Sequence, residues 1–269
     1  MLREFLPFRT HNRLSQSLAI IAVAIVQIAT THLTEWLGVG QDVATRSAIA
    51  SHPLMPLGPA FIIWGAIYAF ALVAAVWQLL PAQKYNHALE QAGWNIAGVG
   101  LLCAAWQIWV PLNGFDWIST ILVGLALVVG VAGLLRLRQD DMLSRMDTIM
   151  VFAPLALVTG WLTAACFLNF TSELVAGQYG LDPTHMPVSL GFLIGLIVFG
   201  GLMTHLTESL TFGAALVWAL SWVMAANLLR DHEPAMVTTA VVGIIAVAIV
   251  CAWSITHHHE TGPMTLRRG

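Results

Sequence analysis

Two sets of residues in this chain have types and spacings that could do chemistry. The pentapeptide Thr-His-Leu-Thr-Glu occurs twice, at 31–35 and at 204–208. A His and a Glu three apart share one helix face, as metal-ligand pairs do. Two copies, His32 with Glu35 and His205 with Glu208, therefore raise the question of a two-metal centre. The second set is aromatic. Phe61, Trp64 and Tyr68 follow Gly58-Pro59 at spacings of three and four, which on a helix puts three rings on one stripe. Such a stripe is either ordinary packing or the wall of a site that grips a flat ligand. No catalytic triad spacing, HExxH or nucleotide-binding glycine loop occurs, so no catalytic residues are assigned. Cys103, Cys166 and Cys251 lie in apolar runs without metal or redox spacing and read as buried thiols. The run His257-His258-His259 lies beyond the last apolar segment and reads as a solvated tail.

The elements that must position these residues are membrane helices. Hydrophobic residues make up 58% of the chain and charged ones 9%, against about 25% charged in a soluble domain. A net charge of -3 with no basic stretch argues against nucleic acid as a partner. A span needs roughly 20 mostly apolar residues, and a mid-membrane charge is costly, so charge-free windows mark the spans. They fall near 16–37, 59–80, 93–111, 117–136, 149–171, 188–206, 209–229 and 236–256, with the shortest connection at 206–209. The uncharged run from Leu14 to Thr34 is long enough to cross, so the start is read as a retained helix rather than a cleaved signal. The expected fold is an all-α, multi-pass integral membrane protein of about eight transmembrane helices.

Charge distribution gives an expected direction. With the N-terminus inside, nine basic residues (Arg3, Arg9, Arg13, Lys84, Arg136, Arg138, Arg145, Arg267, Arg268) fall in inner segments and two, Arg46 and Arg230, in outer ones. The positive-inside rule then makes both termini cytoplasmic. This places the two THLTE copies at opposite membrane faces, where polar helix ends are the simpler reading. Of the four, His205 is the one expected to reach into a span. The same topology sets depths at 1.5 Å per residue. Trp64 and Tyr68 on span two, Trp106 on span three and Trp161 on span five all fall in the outer half, beneath the loop 39–58 and Trp36. Most other Trp residues sit near span ends, where indoles anchor helices. The deep indoles need hydrogen-bond partners, which Asn169, Gln107 and Thr163 are placed to supply. Depth alone leaves a ligand pocket and plain core packing both open.

At this point the residues resemble a family. Phe61-x-x-Trp64-Gly65-x-x-Tyr68 resembles the second-helix signature of the TspO/MBR family, the tryptophan-rich sensory or translocator proteins. Trp161-x3-Ala165-x2-Leu168-Asn169 resembles its fifth-helix signature, and Trp106, Trp109 and Pro111 its third helix. The order of the first five spans agrees. The family's Pro-Tyr directly before the fifth-helix Trp is missing, Gln107 is the nearest amide where the third helix usually has Asn, and three spans follow the family's five. The division expected is a cytoplasmic segment 1–15, a five-helix bundle 16–172, three additional helices 173–256 and a cytoplasmic tail 257–269. The resemblance implies a receptor, carrier or sensor that binds a tetrapyrrole such as haem or protoporphyrin, or a sterol-like molecule, beneath the first loop. It carries over Phe61, Trp64, Tyr68, Trp106, Trp161, Ala165 and Asn169 as candidate ligand-binding residues, with no cofactor required and no metal site. The expected partners are thus a hydrophobic small molecule and the lipid bilayer.

The added helices carry Gly191 and Gly195 as a GxxxG pair, with Gly200-Gly201 after it. Such patterns allow close helix approach, either onto the five-helix unit or in a homo-oligomer. Two other functions stay in view. One is a membrane enzyme oxidising a porphyrin at its Trp residues; the other is a structural or regulatory protein that has lost ligand binding. Ion-coupled transport is disfavoured, because no Asp, Glu, Lys or Arg lies at a span centre and no repeated halves are evident.

Overall fold

A computed structural model describes residues 8–140 and 143–260. Arg3, Arg267 and Arg268 of the charge count lie outside the described residues, as do the side chains of Arg9, Arg13 and His257 to His259. The helices are α1 (Phe8–Thr31), α2 (Leu33–Leu37), α3 (Val43–Ile49), α4 (Ile63–Trp77), α5 (His87–Asn113), α6 (Trp117–Arg138), α7 (Arg145–Asp147), α8 (Ala153–Gly177), α9 (Met186–Thr207), α10 (Leu210–Ala226) and α11 (Pro234–Glu260). A 3-10 turn, Gly58–Ile62, leads into α4, and a π turn, Thr148–Phe152, leads into α8. Eight segments are long and apolar enough to cross a bilayer, so this is a multi-pass integral membrane protein. No strand occurs among the described residues.

The helix starts follow from local chemistry. Asn86 caps α5 by accepting from Leu89 N. Asp116 and Ser119 form a reciprocal capping box at α6, satisfying amides that would otherwise be orphaned. Proline sits at the first turn of the 3-10 turn, α8 and α9, where its missing N–H costs nothing. The windows expected from hydropathy are recovered with three main changes, one being that the fifth span runs on to Gly177 rather than 171. The first span ends at Thr31 rather than 37, because the chain breaks at His32 and restarts as α2. The third begins at His87, six residues before the expected edge. The tight connection at 206–209 is made by Glu208, whose backbone is left-handed (φ 45°), and by Ser209, which caps α10.

Five helices close into a ring in the order α1, α5, α6, α8, α4. Helix α4 packs on α1 and α8 but makes almost no direct contact with α5. Of the neighbouring pairs in the ring, α4 and α8 share the thinnest contact. Helices α9, α10 and α11 pack together and join the ring through α8, mainly by α10. The α8–α10 joint is backbone-close: a Cβ built on Gly160 would lie 2.5 Å from Phe212 O and 3.0 Å from Ala215 Cβ. The GxxxG pair does not make that approach. A Cβ on Gly191 meets nothing within 4 Å, and one on Gly195 meets only the Phe167 ring. We refer to the end bearing residues 38–57 as the loop face and to the opposite end as the terminal face.

Candidate functional site: an aromatic cavity at the loop face

The 3-10 turn and α4 bring Phe61 and Trp64 inward, α5 brings Trp106, and α8 brings Trp161, Ala165 and Asn169. These six line one cavity, together with Cys103 and with Val43, Ser47 and Met55 from the loop above. Trp64 and Trp106 face each other nearly parallel, with ring centroids 6.4 Å apart and planes at 21°. Trp161 meets Trp64 edge-on at 6.5 Å and Phe61 edge-on at 6.0 Å. Both are favoured aromatic geometries. Tyr68 does not line the cavity; it stacks behind Trp64 at 5.7 Å. Trp36 also stays outside, exposed at the surface and stacked on His32.

The hydrogen bonding explains why these rings hold their places. Trp106 Nε1 donates to Asn169 Oδ1 at 2.9 Å, and Asn169 Nδ2 donates to the Ala165 carbonyl at 2.9 Å. Asn169 thus supplies the partner that a buried indole needs. Gln107 and Thr163 serve elsewhere: Gln107 accepts from Thr30 at 2.9 Å, and Thr163 donates to the Thr159 carbonyl at 3.0 Å. Asn169→Ala should leave the Trp106 N–H buried and unpaired, at about 1–3 kcal/mol. A lower thermal unfolding midpoint in detergent, with Asn169→Asp largely restoring it, is the expected observation.

The loop over the cavity is fastened at two places. On one side, Gln41 N and Arg46 Nη2 donate to the Pro111 carbonyl at 2.9 and 3.1 Å, covering an acceptor that the end of α5 leaves open. Gly40 adopts φ +76° there, and a Cβ would stand 2.6 Å from Pro111 O, so the position requires glycine. Helix α3 is capped by Asp42, whose carboxylate accepts from Thr45 N and Oγ1, both at 2.8 Å. Those bonds hold its pKa below the usual carboxylate value. On the other side the loop is tied to α8 and to the end of α10. Trp218 Nε1 donates to Ala60 O at 2.8 Å, Asn227 Nδ2 to Pro53 O at 2.7 Å, and Arg230 Nη2 to Met55 O at 2.9 Å. His52 is buried among these groups, with Nε2 3.1 Å from Thr171 Oγ1.

The loop residues Val43, Ser47 and Met55 carried no sequence signal for the site, and neither did the anchors Asn227 and Arg230. Trp218 meets Trp222, one turn on, at 5.5 Å; its N–H bond to Ala60, in the turn before α4, left no sequence signal. Ser47 Oγ is buried on the cavity wall without a hydrogen-bond partner. Tyr68 Oη and the Gln107 side chain lie buried behind it, close enough to interact with each other.

The two THLTE copies lie at opposite faces. His32 pairs with Glu35 at 3.5 Å on the exposed loop face. Glu208 forms an ion pair with Arg138 at the terminal face. His205 is exposed in the last turn of α9, at the end of the sixth span, against the Trp253 ring at 5.0 Å. Among the described residues no group of three or more His, Cys, Asp and Glu side chains is arranged to hold a metal.

Comparison with curated proteins and with solved structures gave no match. The sequence profile described as TSPO-like protein matches residues 14–253, so it takes in α9 to α11 as well as the five-helix ring. A match over that much of the chain, on eight helices arranged around a tryptophan cluster, places this protein in the TSPO-like family.

Proposed function

We propose that this protein is a membrane receptor or carrier for a flat hydrophobic ligand, held in the aromatic cavity at the loop face. The observation that carries the reading is the nearly parallel pair Trp64 and Trp106, with Trp161 edge-on beside them. Conjugated ring systems stack on indole faces, and each stacking contact contributes about 0.5–1.5 kcal/mol beyond area burial. Ala165 keeps one wall low, and Ser47 Oγ offers one uncommitted polar atom.

A tetrapyrrole such as protoporphyrin is the favoured class. The lining carries no charged side chain and no imidazole, so recognition rests mainly on ring stacking. A ligand's carboxylates would be left at the rim, on the side of Arg46, whose Nε is buried and unpartnered. At 6.4 Å the facing indoles are closer than the roughly 7 Å that a ring inserted between them needs, taking about 3.5 Å per carbon contact. Binding therefore requires α4 to move outward from α5, with which it makes almost no direct contact.

The test is quenching of tryptophan fluorescence on titration with protoporphyrin IX and with haem. The Trp64→Phe, Trp161→Phe double variant should bind about tenfold more weakly while unfolding near the parent temperature, since two stacking contacts are reduced. Unchanged affinity in the folded double variant would remove this site, and failure of the parent to bind either compound would remove the tetrapyrrole reading. Both termini on the cytoplasmic side belong to the same proposal, and the nine-to-two charge distribution supports them.

A further inference from the structure

A second cavity lies toward the terminal face between α1, α4, α5 and the π turn that opens α8. It shares no lining residue with the aromatic cavity. It runs along α4 from Ile67 to Gln78, about 16 Å at helical rise, so it is elongated parallel to the helices.

Its walls are mostly apolar, but two buried glutamines face it, Gln27 and Gln78. Gln78 is 4% exposed. Its Nε2 donates to the Ser17 carbonyl at 3.3 Å, while its Oε1 has no partner. The bond to a carbonyl fixes which end of the amide is nitrogen, so the uncommitted atom is an acceptor. A buried acceptor of that kind is costly unless something donates to it. Gln27 lies where α5 has no side chain: a Cβ on Gly100 would come within 2.9 Å of Gln27 Nε2. The π turn brings Met150 into the lining, and such widened turns recur at functional sites. Ala71, Ala74, Met150 and Pro154 are only partly buried. The cavity therefore opens sideways between α4 and the start of α8, toward lipid.

We propose that this cavity binds an elongated apolar molecule with a single hydroxyl or N–H donor, which enters from the bilayer between α4 and α8 and donates to Gln78 Oε1. The proposal is independent of the reading given to the aromatic cavity. A chain-like body suits the length, the apolar walls suit hydrocarbon, and the lone acceptor sets the headgroup chemistry. An anion is disfavoured, because it would bring acceptors to an acceptor and no cation lines the cavity.

The experiment uses the full chain in lipid nanodiscs and a long-chain primary alcohol bearing a diazirine, beside the matching hydrocarbon diazirine without the hydroxyl. Labelled peptides are mapped by mass spectrometry. Saturable labelling of the α1, α4 and π-turn peptides is expected, with the alcohol favoured about tenfold, the worth of one buried hydrogen bond. Gln78→Leu should abolish that preference while leaving the hydrocarbon unchanged. Ala71→Phe should exclude both compounds by filling the cavity. Gln78→Met and Ala74→Leu replace these variants if either fails to purify with a parent-like unfolding midpoint. Equal labelling by the two compounds, or an alcohol preference that survives loss of the amide, would overturn the proposal; in the latter case water serves the acceptor.

Discussion

Gly160→Ala is expected to be among the most damaging single-methyl additions in this protein. Its Cβ would meet the Phe212 carbonyl at 2.5 Å, with Phe212 Cα and Ala215 Cβ at 3.1 and 3.0 Å. Two of those three atoms belong to the α10 backbone, so no side-chain rotation relieves the contact. The helices must part, and overpacking of this kind costs about 1–3 kcal/mol. The effect should reach the ligand site. Separating α10 from α8 pulls on Trp218, Asn227 and Arg230, which hold the loop and the start of α4. A lower unfolding midpoint and weaker protoporphyrin quenching are therefore expected together. Gly191→Ala is the control: its Cβ meets nothing within 4 Å, and removing a helix glycine gains up to about 1 kcal/mol. Equal midpoints for the two variants would show that the α8–α10 approach is not tight.

Acidification should loosen the loop through His52. This residue is 3% exposed, in the loop between α3 and the 3-10 turn. Thr171 Oγ1 donates to the carbonyls of Phe167 and Leu168, at 2.8 and 3.0 Å. Its single proton is thereby committed, which leaves Thr171 Oγ1 to accept from His52 Nε2–H, with Ser172 Oγ also 3.3 Å from that nitrogen. Nδ1 then carries the lone pair and has no partner, an arrangement that suits the neutral ring only. Burial, and after it the Arg230 guanidinium, push the pKa from 6.5 down to about 3, against an opposing pull from Asp231. A histidine whose folded pKa is depressed binds fewer protons folded than unfolded. Its stabilising contribution is therefore complete above pH 6.5 and is lost progressively as pH falls toward 3. At about 1.4 kcal/mol per unit, the loss at pH 4 is on the order of 3 kcal/mol. Proteolysis at residues 50–57 should increase steeply below pH 6. His52→Asn, which keeps a donor without titrating in that range, should flatten the profile. A parent profile flat from pH 7 to pH 4 would show that His52 is not the group responsible.

Much of the architecture was legible in the sequence because hydropathy and helical spacing are local signals. Charge-free windows located all eight spans, and the three-and-four spacing of Phe61, Trp64 and Tyr68 gave one helix stripe. The direction of that stripe was less legible. Tyr68, continuous with Trp64 in sequence, stacks behind it because the turn into α4 aims Phe61 and Trp64 at α8. The break at His32 was missed because the apolar pattern continues through it. The glycine pattern left its partner open for a physical reason: a small residue permits close approach, but only the facing helix decides whether it happens. Gly191 faces open space and Gly160 faces a backbone. The loop anchors were invisible because bonds such as that from Arg230 to Met55 join residues 175 positions apart and leave no periodic trace.

Those long-range anchors also set a timetable. Ala60 waits for Trp218, which is 158 residues later, and His52 waits for Arg230, 178 residues later. At roughly 5–20 residues per second of synthesis, the loop is unattached to its final anchors for about 8 to 36 s after it leaves the ribosome. During that interval the first five helices can insert and close their ring, but the roof of the aromatic cavity is unfinished. The C-terminal helices thus act last in the making of a site whose lining residues all precede α9. A ribosome stalled before α10 would display an inserted ring with an unsecured roof.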